Sequence, residues 1–305
     1  LDMGRHHEGC QISMGHHDIL PAYLELTKPK VVFLNLFVGL VSFLLAASHP
    51  PPVHLCTFLA AGYLVAGGCG AINCWYDRDI DRVMARTSGR VIPRNALSPR
   101  RVLLFGSLLL TTGLLAAVLI LPFLAAAMMA AGAGIYLIIY TAWLKRASHL
   151  NVVLGGTAVC FAAFAGWTAT GAPFPTLTPV LIALVGFLWT PGHFWALAIY
   201  RDQDYRIARI PMLPARAGRY PAAQAIFLWN AATAGLTVLI PFLTAIDRIT
   251  LAITIPAGLF LLSLSRRLLV SPSDERAVRL FSFSIVYLMS VLFAFLVLAG
   301  GLPAL

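Results

Sequence analysis

The chain has 305 residues, 59% hydrophobic and only 11% charged, with a mean hydropathy of +0.83. A soluble globular domain does not carry that balance, so the composition specifies an all-α polytopic membrane protein. The net charge of +10 does not point to nucleic acid, because such a partner needs a soluble basic face and this chain has none to offer.

Residues 1–27 read as a polar tail, too histidine-rich for a cleavable signal peptide, so the helix starting near Lys30 is expected to serve as the insertion signal. His6, His7, His16 and His17 are read as part of a mobile segment, with metal binding as the alternative. A crossing needs about 20 mostly apolar residues. Residues 31–76 supply two, separated at HPPPVH (His49 to His54). Residues 102–144 supply two, broken at Leu121-Pro122, and residues 147–200 two more, broken near GAPFP (Gly171 to Pro175). The runs 220–246, 249–265 and 280–305 supply one each. The expectation is nine transmembrane helices, with residues 28–305 as one domain. The five cysteines show no CxxC spacing and read as small apolar residues.

Basic residues test this count. With the tail inside, 21 of the 22 Lys and Arg fall on inside segments and only Arg248 falls outside. The N-terminus is therefore expected in the cytoplasm and the C-terminus outside. Outside connections are short. Two inside loops, about 73–101 and 200–220, are long and polar, so function is expected on the cytoplasmic face. Both loops run from a helix end through aspartates to arginines, a hint of two similar halves facing one cavity.

The first loop opens with NCWYDRDIDR. On a helix, Asn73, Asp77 and Asp81 fall within about 80° of one another, whereas Asp79 points elsewhere. One amide and two carboxylates are hard oxygen donors suited to Mg²⁺, which shares its shell with substrate phosphates. The plainer alternative is that Asp77 and Asp81 pair locally with Arg78, Arg82 or Arg86. Arg86 and Arg90 are placed to hold phosphate oxygens, and Lys145 and Arg146 either join them or reach to headgroups. Asp204, in HFWALAIYRDQDYRIARIPMLP, is the candidate metal ligand from the second loop, with Asp202 its nearest competitor. Acids, arginines and membrane together point to an isoprenyl diphosphate whose tail lies between helices. Phe161, Phe164, Trp167, Trp189, Phe194 and Trp195 are candidates to line its space, or ordinary packing residues.

These residues resemble the UbiA-type intramembrane prenyltransferase superfamily, whose NxxxDxxxD signature is matched by Asn73, Asp77 and Asp81. LTKPKVVFLNL, YTAWLKRASHLNVVLGG, PGHFWALAIYRDQDYRIARIPMLP and RLFSFSIVYL extend the resemblance over nearly all the chain after residue 25, within its haem-farnesylating branch. The resemblance implies nine transmembrane helices around a central cavity and transfer of farnesyl from farnesyl diphosphate to a vinyl group of haem B in a bacterial inner membrane, with Mg²⁺ as cofactor. A haem A synthase or an oxidase assembly component would be the candidate receiver of the product. It implies substrate contacts for Tyr140, Tyr200 and His193, the last facing haem as axial ligand or propionate contact, with a hydrogen-bonded helix histidine as the alternative. Tyr200 stands where the superfamily has the first acid of a second DxxxD, so only Asp204 carries over there. Val91 replaces a usual proline, and CFAAFAGW (Cys160 to Trp167) lacks a usual proline pair; both bear on pocket shape. Two other readings stay open: prenylation of a quinone precursor or chlorin, and cation transport through the same acids.

Overall fold

The computed structural model describes residues 16–46 and 51–297. Its elements are α1 (His16–Leu26), α2 (Pro29–Ala46), α3 (Pro52–Tyr76), α4 (Arg78–Val83), α5 (Pro99–Ile120), α6 (Phe123–Ala147) and α7 (Asn151–Ala169). They continue as α8 (Leu177–Tyr200), α9 (Asp202–Ile207), α10 (Leu213–Ala217), α11 (Arg219–Leu243), α12 (Arg248–Val270) and α13 (Asp274–Val297). Among the described residues, nine of these are long and apolar enough to cross a membrane: α2, α3, α5, α6, α7, α8, α11, α12 and α13. The uncharged run 249–265 is extended by a 3₁₀ turn at Arg248–Thr250 and, past Arg266 and Arg267, to Val270. The outer ends of the expected run to 305, together with Cys10, His6 and His7, lie outside the described residues. The stretch read as a polar tail includes α1, whose Ala22 and Leu26 are fully buried.

Proline opens α2, α3 and α5, where a missing N–H costs nothing. Between lipid-embedded helices the attraction is packing rather than water exclusion, so close crossings use small residues. At the α3–α5 crossing, a Cβ on Gly68 would stand 2.6 Å from the Leu110 nitrogen and 2.7 Å from the Gly106 oxygen. At the α2–α7 crossing, Gly166 lies directly on the Gly39 backbone. Large apolar side chains such as Leu104, Leu119 and Phe123 are more than 70% exposed, as expected of a surface solvated by lipid.

The first polar loop is pinned by a small core. Val91, Ile92 and Leu97 bury against Ala22 and Leu26 of α1, Ala71 and Cys74 of α3, and Val102 of α5. Val91, standing in place of a proline, is completely buried there. Leu181, Trp189, Ile199, Ile226, Tyr287 and Phe295 belong to the largest core, in the second half of the bundle.

Candidate functional site

Four sequence-predicted donors are buried: Asp77 at 0%, Asp81 at 2%, Asn73 at 3% and Asp204 at 7% exposure. The helical ladder runs through them, with Asp77 N donating to Asn73 O and Asp81 N to Asp77 O; Asp77 itself marks a turn between α3 and α4. Asn73 Nδ2 donates to Asp77 Oδ2 at 2.8 Å and Thr141 Oγ1 at 3.1 Å, and its Oδ1 accepts from Lys28 Nζ at 2.6 Å. Lys145 Nζ donates to Asp77 Oδ2. Arg146 Nη2 stands 3.8 Å from Asp77 Oδ1. Asp81 takes both its hydrogen bonds from Arg90 Nη1, at 2.8 and 2.9 Å. None of these partners is the local Arg78, Arg82 or Arg86 of the plainer alternative. A buried carboxylate must be paired, and here the pairs come from other segments.

Lys145 reaches Asp77 because of an irregularity in α6. At about 100° per residue, Lys145 would lie opposite Tyr136 on an ordinary helix. Residues Ile135–Leu144 form a π-helix, whose i→i+5 bonding turns less per residue. Tyr136, Thr141 and Lys145 therefore all face α3. Tyr140 stacks on Tyr136, with centroids 5.7 Å apart, and lies flat on Gly155 of α7, where a Cβ would collide with the ring.

Asp79 does point away from its neighbours. Its carboxylate is exposed and takes two hydrogen bonds from Arg146, at 2.7 and 2.8 Å, which hold its pKa down at about 2. Lys28, which sequence reasoning counted only among inside cations, is the residue it missed. It sits after α1 with a left-handed φ of +51°, and burial pulls its ammonium below the usual lysine value. A cation wedged between two helices and directly before Pro29 was the available signal.

Lys28 and Tyr136 stand at one end of an apolar chamber between α2, α3, α6 and α7. Counting the space open to the surroundings, it holds about 840 Å³ among residues such as Val32, Phe58, Met129, Phe161 and Ala162. All its lining residues lie between positions 28 and 165, so it is not shared between two similar halves. Of the six aromatic candidates only Phe161 lines it. Trp189 and Trp195 are buried in the second core, and Trp167 Nε1 donates to Pro173 O.

The remaining predicted residues do not join the network. Asp204 accepts from the backbone N–H groups of Ala85 (3.1 Å) and Arg86 (3.3 Å), tying the second loop to the first. The Arg86 side chain is exposed, and Tyr200 is 37% exposed beneath Arg201. His193 lies between the rings of Trp189 and Phe281, at 4.2 and 4.4 Å, with Nδ1 on Ser284 Oγ at 2.7 Å. Among the described residues, no three acidic, histidine or cysteine side chains are grouped to hold a metal. One feature does fit a hard cation: Asp77 Oδ1 is buried and accepts no hydrogen bond.

The UbiA prenyltransferase family pattern matches residues 35–292. Curated relatives named protoheme IX farnesyltransferase are 37% identical in Parvibaculum lavamentivorans, over 88% of this chain and 86% of theirs, and 38% in Acidiphilium cryptum, over 88% and 87%. The fold is similar to a structure of digeranylgeranylglyceryl phosphate synthase, with TM-score 0.71 and 19% identity over 92% of this chain and 99% of that one. It is also similar to a UbiA homologue from Archaeoglobus fulgidus bound to DMAPP and Mg²⁺, with TM-score 0.65 and 18% identity over 90% and 99%.

Proposed function

This chain belongs to the UbiA prenyltransferase family, and from that premise we propose that it transfers the farnesyl group of farnesyl diphosphate to a vinyl group of haem B, giving haem O. The observation that carries the reading is the cluster of Lys28, Asn73, Asp77 and Lys145 beside the apolar chamber, in a chain whose relatives bear that enzyme's name.

The farnesyl tail occupies the chamber and the diphosphate lies at its mouth. Phosphate oxygens compete for the ammonium groups of Lys28 and Lys145 and the guanidinium of Arg90, releasing oxygens of Asn73, Asp77 and Asp81. Asp77, through Oδ1, with Asn73 and Asp81 would then hold Mg²⁺, while Asp204 stays on the amides of Ala85 and Arg86. The ion, when bound, offsets the charge on the leaving diphosphate. The C1–O bond breaks with its electron pair going to diphosphate. The vinyl π pair forms the new C–C bond, leaving a cation delocalised into the macrocycle. A water oxygen bonds to that cation and releases a proton. The lysines and Arg90 stabilise departing charge, while the apolar walls keep water from the allylic cation until the C–C bond has formed. His193, clamped between rings, we assign to stiffening the α8–α13 wall. The polar end is assigned to the cytoplasmic face of a bacterial inner membrane, on the basic-residue bias of the loops.

The test incubates purified protein with haem B, farnesyl diphosphate and Mg²⁺. The expected product is heavier than haem B by a farnesyl and a hydroxyl group, and chelating the metal stops its formation. Product on a quinone precursor or chlorin but none on haem overturns the acceptor assignment. Cation flux through reconstituted vesicles without any prenyl product overturns the enzyme reading.

A further inference from the structure

A second opening lies between the two polar loops, outside the chamber. It spans about 600 Å³, open to the surroundings, and Asp79, Val83, Arg146, Ile207, Arg209 and Ile210 contribute to its walls. Arg146 joins it to the chamber mouth, since that guanidinium holds Asp79 in the cleft and stands 3.8 Å from Asp77. Two openings thus meet at one buried carboxylate.

Arg209 is out of place by the rules of backbone geometry. It follows α9 with φ +54°, Arg209 N donating to Arg206 O at 3.1 Å and Ile210 N to Tyr205 O at 2.9 Å. That pair of bonds is the Schellman ending, whose left-handed position is usually glycine because a Cβ there is strained. The chain uses glycine for the positive φ at Gly171 and Gly218. It accepts the strain for a basic residue at Lys28, whose ammonium serves the chamber mouth, and again at Arg209. Strain of this kind is retained where the side chain has a task.

The Arg209 side chain is exposed and makes no ion pair or side-chain hydrogen bond among the described residues. Arg146 already neutralises Asp79, so Arg209 is the uncompensated charge of the cleft. Val83 and Ile207, 51% and 55% exposed, supply apolar surface beside it. A cation beside an apolar wall suits a carboxylate attached to a flat, greasy body. Resting on the function proposed above, we infer that this cleft anchors the propionates of the haem acceptor on Arg209, with the chamber left to the prenyl chain.

The test titrates haem B and its dimethyl ester into the detergent-solubilised protein, followed by tryptophan fluorescence quenching, with no farnesyl diphosphate or metal added. The wild-type protein should bind the diacid on the order of tenfold more tightly than the ester, the value of one charge-assisted contact. Arg209→Gly should bind both ligands at the ester's level, with a thermal midpoint no lower than wild type because glycine suits the left-handed position. Arg209→Gln, which keeps the Cβ, should show the same loss of discrimination. Unchanged preference for the diacid in these variants overturns the assignment, and so does a wild-type protein that binds diacid and ester alike. A variant that loses anionic phospholipid but not haem B would make the cleft a headgroup site and also overturn it. Failure of the wild type to farnesylate haem would instead sink the function proposed above, whatever the binding data show.

Discussion

The two halves of the bundle bury polar groups in opposite ways. Around the α3–α4 junction and α6, with Lys28 and the loop after α4, they include ions whose partners come from separate segments, beside an open chamber. In α8, α11, α12 and α13 they are neutral, and several bond to one another across helices, although Trp195 Nε1, Asn230 Oδ1 and Thr254 Oγ1 have no partner among the described residues. Trp189 Nε1 donates to Ser284 O at 2.7 Å, Asn230 Nδ2 to Ser265 Oγ at 2.9 Å, and the hydroxyls of Thr237 and Tyr287 hydrogen-bond to each other at 2.7 Å. Buried ion pairs contribute little net stability against their desolvation, and a chain that keeps several has placed them where an arriving charged ligand can exchange partners. Neutral networks in a closed core fix one packing. On the function proposed above, the difference separates the half that would hold the prenyl diphosphate from the half that braces it.

The largest expected break in that contrast is Asp77→Asn, which should lower farnesyl transfer by on the order of 10²–10³-fold or more. The double variant Asp77→Asn/Lys145→Gln removes the orphaned ammonium as well and should fold while remaining inactive. Turnover within severalfold of wild type would mean that the paired ions are scaffolding. Filling the chamber comes next. Ala162→Phe should reduce kcat/KM for farnesyl diphosphate by about tenfold, the scale of a 1–3 kcal/mol overpacking penalty. A shorter dimethylallyl donor should suffer less. Equal losses for both donors would remove the tail from this chamber.

On the bracing side, His193→Ala should cost roughly 3 kcal/mol of stability, read by thermal or denaturant unfolding. His193→Phe preserves the ring stack and should keep most turnover. Loss of haem binding in a well-folded His193→Phe protein would return this residue to direct contact with the acceptor. The smallest effect concerns Asp79. Its folded pKa of about 2 lies below the ordinary carboxylate value. The stability it contributes is therefore present above about pH 4 and is lost as pH falls toward 2. Because the carboxylate is 62% exposed, the contribution should stay within about 1 kcal/mol. Asp79→Asn should flatten the pH dependence of unfolding in that window only.

Much of this was legible in the chain. Uncharged runs marked the crossings, and the fourfold spacing of Asn73, Asp77 and Asp81 marked the polar end, because helical period and hydrocarbon thickness are local constraints. Lys145, Arg146 and Arg90 could be named from loop composition, but not the acid each would meet. Of the aromatic residues, read either as lining or as ordinary packing, Phe161 lines the chamber while Trp189 and Trp195 pack in a core, since residue type says that they are buried without saying where. Asp204 was legible as a second-loop acid, whereas its docking on the Ala85 and Arg86 amides depends on how the loops fold together.

Composition and periodicity by themselves determined a nine-helix membrane protein with its oxygen donors and cations gathered at one end, because the cost of charge in lipid acts on every residue independently. The tertiary structure alone decided who pairs with whom. The π-helical turn at Ile135–Leu144 swings Lys145 onto Asp77, the left-handed residue after α1 drives Lys28 to Asn73, and the crossing of four helices leaves the chamber beside them. Each of these depends on a rotation or a contact between distant segments, and no window of sequence contains it.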